Sequence, residues 1–248
     1  QLRLATTKKI NSVADDTSGY NVGKKLEAQT LTQKAQLNNI SSAKNYLATA
    51  ESALQQVNDK LNQIKAKQVD ADDPLKDSAS IAKDVRTLAG EIDSILKNTN
   101  INGTQLLAST DGSTALSSAT FDVGGSSFSI DFAGSSYLGS AALATAIGTS
   151  NLTSSTDATV LDYNTTTVAA SVRSALGRIG NLTQTLDSRQ EYLTAAVANN
   201  TATISNIFDA DMAAEQLNAT KGQISGQVAT AMLSQMNSAP QNILSLFR

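Results

Sequence analysis

The sequence predicts a mainly α protein: a long antiparallel helical coiled-coil rod built from both ends of the chain, with a small insert containing a β-hairpin. Three observations carry this. Apolar residues recur at alternating spacings of three and four along both flanks, which is a coiled-coil seam. Between the flanks lies a Gly- and Ser/Thr-rich stretch with almost no Lys or Arg. The composition is 4% aromatic, with two prolines and no Trp, Cys or His in 248 residues, which suits long helices with Ala, Leu and Ile seams better than an α/β enzyme.

The chain opens on a connector, residues 1–18. Within "INSVADDTSGYNV", Ile10 and Val13 are the apolar members, and Asp15, Asp16, Thr17 and Ser18 supply oxygens and negative charge for the unpaired amides of a following helix. A carboxylate pair binding metal is the competing reading. No base, nucleophile or third ligand accompanies the pair, so capping is preferred.

The N-terminal half of the rod, 19–107, contains the strongest signal. Ile40, Ala43, Leu47, Ala50, Leu54, Val57, Leu61 and Ile64 follow an unbroken 3-4 alternation. A helix running in from Thr17 would reach about 80 Å at 1.5 Å per residue, and nothing so long is stable alone in water. Asp72, Asp73 and Pro74 read as a stop, an N-cap and a first-turn proline opening a second helix. Its apolar set is Ile81, Val85, Leu88, Ile92 and Ile95, and "KNTNING" ends it.

In the insert, 108–166, Phe121 and Val123 precede Gly124-Gly125, and Phe128, Ile130 and Phe132 follow at period two, which predicts a hairpin. The helical pattern resumes over 167–211, with Leu186, Leu193 and Val197 among its stripe and polar Thr183, Gln190 and Asn200 at intervening seam sites. Asp209 or Asp211 caps a last helix over 212–248. The expected rod core is therefore Ile40, Leu47, Leu54, Val57, Leu61, Ile64, Val85, Leu88, Ile92, Leu186, Leu193 and Val197.

Several function classes are excluded. Without His or Cys there is no zinc site, thiol nucleophile or histidine base, and no calcium-loop spacing occurs. No cofactor is expected. A net charge of −3 with interspersed signs does not indicate nucleic acid. No run approaches eighteen apolar residues, so no membrane-spanning helix is expected, and no cleaved signal peptide is visible.

Four blocks together carry a resemblance: "INSVADDTSGYNVGKKL", "ATAESALQQVNDKLNQIK", "EIDSILKNTNINGTQLL" and "QISGQVATAMLSQMNSAPQNILSLFR". In order and spacing they resemble bacterial flagellin over about 4–107 and 168–248. The resemblance implies a non-enzymatic, self-assembling filament subunit serving motility. Terminal segments would form an inner coiled-coil tube, the rod an outer tube, the insert a variable surface domain, and 1–18 a spoke between layers. About thirty further residues precede "QLRLATTKKIN" in the family pattern. It also implies an extracellular place in the flagellum, reached by the flagellar type III route without a cleaved signal peptide. The implied partners are other copies of the chain, a secretion chaperone, and hook-junction and cap proteins.

The tail residues for assembly or chaperone binding would be Ile224, Val228, Met232, Ile243, Leu244, Leu246 and Phe247. An innate immune receptor is a weak further partner. Its patch aligns with Leu61, Gln63, Ile64, Lys65, Ala66 and Lys67, and strongly stimulating members of the family have Arg, Glu and Leu in place of Gln63, Ala66 and Lys67. The alternative within the superfamily is the hook–filament junction protein, but the ending "NILSLFR" favours flagellin. A metalloprotease insert, known in some members, needs an HExxH helix, and this chain has no histidine.

Overall fold

The computed structural model describes residues 2–107, 119–125, 127–130 and 156–246. The fold is mainly α. Its elements are α1 (Leu2–Thr6), α2 (Thr17–Ala71), α3 (Ser78–Asn98), β1 (Asn100–Ile101), β2 (Thr104–Gln105), β3 (Ala119–Asp122), β4 (Ser127–Ile130), α4 (Asp157–Leu161), α5 (Thr165–Phe208) and α6 (Met212–Leu246). They divide into two compact units, one of Gln1–Thr32 with Ala195–Arg248, the other of Gln33–Thr194. Helices α2 and α5 contribute to both.

In the 33–194 unit, α3 and the first part of α5 run antiparallel to α2. Ion pairs Lys60–Glu91 (2.5 Å) and Lys67–Asp84 (2.7 Å) step in opposite directions along α2 and α3. Lys44–Asp187 (2.5 Å) at one end, and Thr165 Oγ1 donating to Gln68 Oε1 (3.4 Å) at the other, do the same for α2 and α5. The α2 seam from Ile40 to Ile64 is buried throughout. On α3 the buried set is Ile81, Ala82, Val85, Ala89, Ile92 and Leu96. Leu88 and Ile95 are only half-buried against it. The seam thus runs 82, 85, 89, 92, 96, and Ala89 and Leu96 occupy the sites that a reading by large side chains gives to Leu88 and Ile95.

Two boundaries differ from expectation. Pro74 does not open α3; the helix starts at Ser78, where Ala79 N donates to the side chain of its N-cap Asp77. The carboxylate of Asp73 instead accepts from Leu75 N (3.0 Å), and Asp70 is held by Lys76 (2.6 Å), so 72–77 is a loop. "KNTNING" does more than end a helix. Asn102 (φ 51°) and Gly103 (φ 78°) turn β1 into β2, the paired positive φ values that a two-residue I′ hairpin needs and that Asn-Gly supplies.

The expected hairpin is β3–β4, with Phe121 opposite Phe128 and Gly124 and Gly125 both at positive φ between the strands. Val123, Phe128 and Ile130 are buried in the helical core, and Phe121 meets Tyr46 edge-on at 6.1 Å. Polar groups clamp the turn. Asn39 Nδ2 donates to Asp122 O (2.9 Å), Gln36 Nε2 to Asp122 Oδ1 (3.2 Å) and Arg189 Nη1 to Gly124 O (2.7 Å). Phe132 lies outside the described residues.

At the opposite end of α2, Gln68 Nε2 donates to Leu161 O (2.9 Å) and Tyr163 O (2.8 Å). One amide therefore ties together two carbonyls of the α4–α5 junction, and Tyr163 O accepts from Thr165 N (2.8 Å) as well. Burial pushes the neighbouring Tyr163 phenol well above its ordinary range.

Candidate functional site

Two features of the 1–32 and 195–248 unit stand out: a joint where two connectors pair, and the exposed helix that follows it. At the joint, residues 7–9 lie antiparallel to 208–210. Lys9 N donates to Phe208 O (2.7 Å) and Ala210 N to Thr7 O (3.0 Å), with a bridge between Lys8 and Asp209. Thr7 takes φ 58° to make this turn, an uncommon conformation for a β-branched residue. Lys9 Nζ donates to Asn206 O (2.8 Å), neutralising the carbonyl end of α5.

The four expected cap residues do different things. Asp16 Oδ1 accepts from Gly19 N (2.9 Å), so Asp16 is the cap of α2. Asp15 points backwards. Its Oδ2 accepts from Asn11 N (2.9 Å), Ser12 N (2.8 Å) and Ser12 Oγ (3.2 Å), tying the preceding turn. The Asn11 amide, then that of Ser12, holds its carboxyl below the ordinary 3.8. Thr17 lies inside the first turn of α2 and its hydroxyl donates to Val13 O (3.2 Å). Ser18 is exposed in the same turn. A carboxylate reaches only a few amides, and after Asp16 takes the helix end the turn at 11–12 is what remains near Asp15. At the far connector, Asp211 Oδ1 accepts from Ala213 N (3.0 Å) and Ala214 N (3.2 Å), so Asp211, not Asp209, caps α6.

Phe208 is the packing centre of the joint, 3% exposed. Tyr20 meets its ring edge-on at 6.2 Å, and Lys8 Nζ sits 5.5 Å from its centroid. Gly23 gives the ring its place: a Cβ there would lie 2.1 Å from Phe208 Cε2. Ile10 is buried beside Gly19. None of Phe208, Tyr20 or Gly23 stands out by periodicity. The available signals were a phenylalanine at a helix end, far from the insert, and a glycine inside a helix.

Beyond the joint, α6 has no buried side chain from Met212 to residue 236. Arg3 of α1 pairs with Glu215 near its start (3.5 Å). Leu217, Ile224, Val228 and Met232 fall on one stripe and are all exposed. The tail side chains of Ile243, Leu244, Leu246 and Phe247 lie outside the described ones. A continuous exposed apolar stripe of this length is the kind of surface that protein partners cover.

In the other unit, eleven of the twelve expected rod-core residues are found, ten of them buried and Leu88 half-buried; Val197 lies in the 1–32 and 195–248 unit and is half-buried there. The receptor-aligned patch divides. Leu61 and Ile64 are buried in the helical core, because they belong to the α2 seam, and cannot offer side chains to a partner. Gln63, Lys65 and Ala66 are exposed, and Lys67 pairs with Asp84. Among the described residues, no group of three or more His, Cys, Asp or Glu could hold a metal ion, and no helix is long and apolar enough to cross a membrane. The arrangement offers packing surfaces and charged rims, and its chemistry is that of association.

Comparison with known proteins agrees in type. The family model for the bacterial flagellin N-terminal helical region matches residues 1–111, and that for the C-terminal helical region matches 161–247. Flagellin FlaB1 of Treponema pallidum (strain Nichols) is 29% identical over 264 residues, covering 99% of this chain and 90% of the relative. Flagellin of Bacillus subtilis (strain 168) is 28% identical over 276 residues, covering 99% and 91%. The crystal structure of Bacillus cereus flagellin aligns with a TM-score of 0.38 and 20% identity, over 69% of this chain and 93% of that one.

Proposed function

The chain belongs to the bacterial flagellin family, and on that premise we propose that it polymerises through its terminal helices into the flagellar filament and so serves motility. The family makes it a structural subunit of a filament outside the cell, not an enzyme, with other flagellin copies as partners. The carrying observation is the unburied apolar stripe of α6, Leu217 to Met232, set on a joint that fixes where the helix starts. Burying one such side chain contributes roughly 1.5 to 3 kcal/mol, and repetition along a polymer makes the sum large.

Export by the flagellar type III route fits the same surface, because a secretion chaperone would have to cover this stripe before assembly. Cap and hook-junction proteins would meet the same terminal helices. The test is electron microscopy of the full-length protein after salt-induced polymerisation. Filaments are expected; a monodisperse monomer under all precipitating-salt conditions would sink the proposal.

A further inference from the structure

All three methionines of the 248-residue chain lie on α6, and none is buried: Met212 is 41% exposed, Met232 65% and Met236 71%. Cores normally take methionine as a pliable filler. Here the thioethers face water instead. The chain has no Cys and no Trp, so these three sulfur atoms are also its most readily oxidised groups. Susceptibility to oxidation follows accessibility, and the fold of the single chain shields none of the three.

The three are not equivalent. At about 100° per residue, Met232 falls on the stripe formed by Leu217, Ile224 and Val228, and Met236 follows one turn later beside it. Met212 falls on the opposite side of α6. Val228 and Met236, one turn either side of Met232, are both apolar. Oxidation at Met232 would therefore alter the stripe while leaving the fold intact, because side chains this exposed carry little of the packing that holds the chain together.

We propose that Met232, with Met236 beside it, is a peroxide-sensitive modification site that controls assembly. Oxidised in the free subunit, it keeps the α6 stripe from being buried; once buried in the filament, it is out of a peroxide's reach. This rests on the filament reading above. The thioether sulfur attacks one oxygen of hydrogen peroxide, the S–O bond forms as the O–O bond breaks, and the departing hydroxide takes the remaining proton and leaves as water. Sulfur loses two electrons and the peroxide gains them. The sulfoxide oxygen is a polar acceptor, and burying it among apolar neighbours without a donor forfeits its hydration. Two thiols of a sulfoxide reductase reverse the step, removing the oxygen as water and ending as a disulfide, so the site can be reset.

In the test, monomer of the full chain is treated with hydrogen peroxide until peptide mass spectrometry finds sulfoxide at Met232 and Met236. Its critical concentration for assembly is then compared with that of its own untreated sample. The same ratio is taken for Met212→Leu and for the double variant Met232→Leu with Met236→Leu. The ratio should rise about 10-fold or more in the parent and in Met212→Leu, and stay near unity in the double variant. It should return to unity when the treated parent is reduced by stereospecific methionine sulfoxide reductases with dithiothreitol. In filaments assembled before treatment, Met232 should oxidise at least about 10-fold more slowly than in the monomer. An unchanged critical concentration in a parent carrying both sulfoxides overturns the proposal, as does an equal rise in the double variant or equal oxidation of Met232 in filament and monomer. The parent's own ratio and its protection in filaments decide the matter even where leucine at either site disturbs assembly. If the untreated parent does not polymerise, the filament reading fails instead.

Discussion

Replacing Gly23 tests the joint most directly, because the direction of the effect should depend on Phe208. In an ordinary helix interior, Gly→Ala stabilises by about 0.8 to 1 kcal/mol. At Gly23 the new methyl would sit 2.1 Å from Cε2 and 2.4 Å from Cζ of Phe208, well inside the usual carbon–carbon contact of about 3.5 to 4.0 Å. The ring would have to retreat by more than about 1 Å while held by Tyr20 at 6.2 Å and Lys8 at 5.5 Å, and such overpacking costs about 1 to 3 kcal/mol. Gly23→Ala should thus be net destabilising by up to about 2 kcal/mol. Phe208→Ala alone should cost about 3 to 5 kcal/mol. In the Phe208→Ala background the clash is gone, and adding Gly23→Ala should stabilise by about 1 kcal/mol. The assay is amide hydrogen exchange at Lys9 and Ala210, whose N–H groups close the connector pair, with thermal melts of the four proteins. If Gly23→Ala stabilises in both backgrounds, the ring does not occupy that site and the argument fails.

Leu54→Asp places an unpaired carboxylate at a site with no solvent exposure, so a loss of about 3 to 5 kcal/mol is expected; an unchanged circular-dichroism melt would show that Leu54 is not in the core. Because the folded pKa of Asp15 is depressed, its contribution is present above pH 3.8 and lost as pH falls through that value and below. The Asn11 and Ser12 amide resonances should titrate with a midpoint under 3.8, and should not do so in Asp15→Asn. Exposed Gln63 and Ala66 leave this subunit without the Arg and Glu of strongly stimulating flagellins, so we expect weak signalling in a receptor reporter assay and a gain from Gln63→Arg with Ala66→Glu; full potency of the parent would refute this. Limited proteolysis of the demonstrated monomer should cleave α6 before the 33–194 unit, since α6 has no fully buried side chain from 212 to 236; equal survival by mass spectrometry would contradict it.

The 3-4 alternation from Ile40 to Ile64 was enough by itself to specify one continuous helix and its buried face, because only the helical period brings those eight side chains together. Paired glycines between aromatic alternations likewise determined β3–β4. What tertiary structure decided was which of several adequate local solutions prevailed. Asp72, Asp73 and Asp77 are all competent caps, and the capping bonds to Ala79 and Ser80 give the place to Asp77. Asp15 and Asp16 are chemically equivalent in the sequence, yet one ends a helix and the other ties a turn, because each carboxylate can serve only the amides within its reach. On α3 the seam passes through Ala82 and Ala89, since depth of burial is set by the facing helices and not by side-chain size. The joint at Phe208 was the least legible. It depends on residues 8, 20, 23 and 208 meeting in space, and no periodicity relates a ring to a glycine 185 positions earlier in the chain.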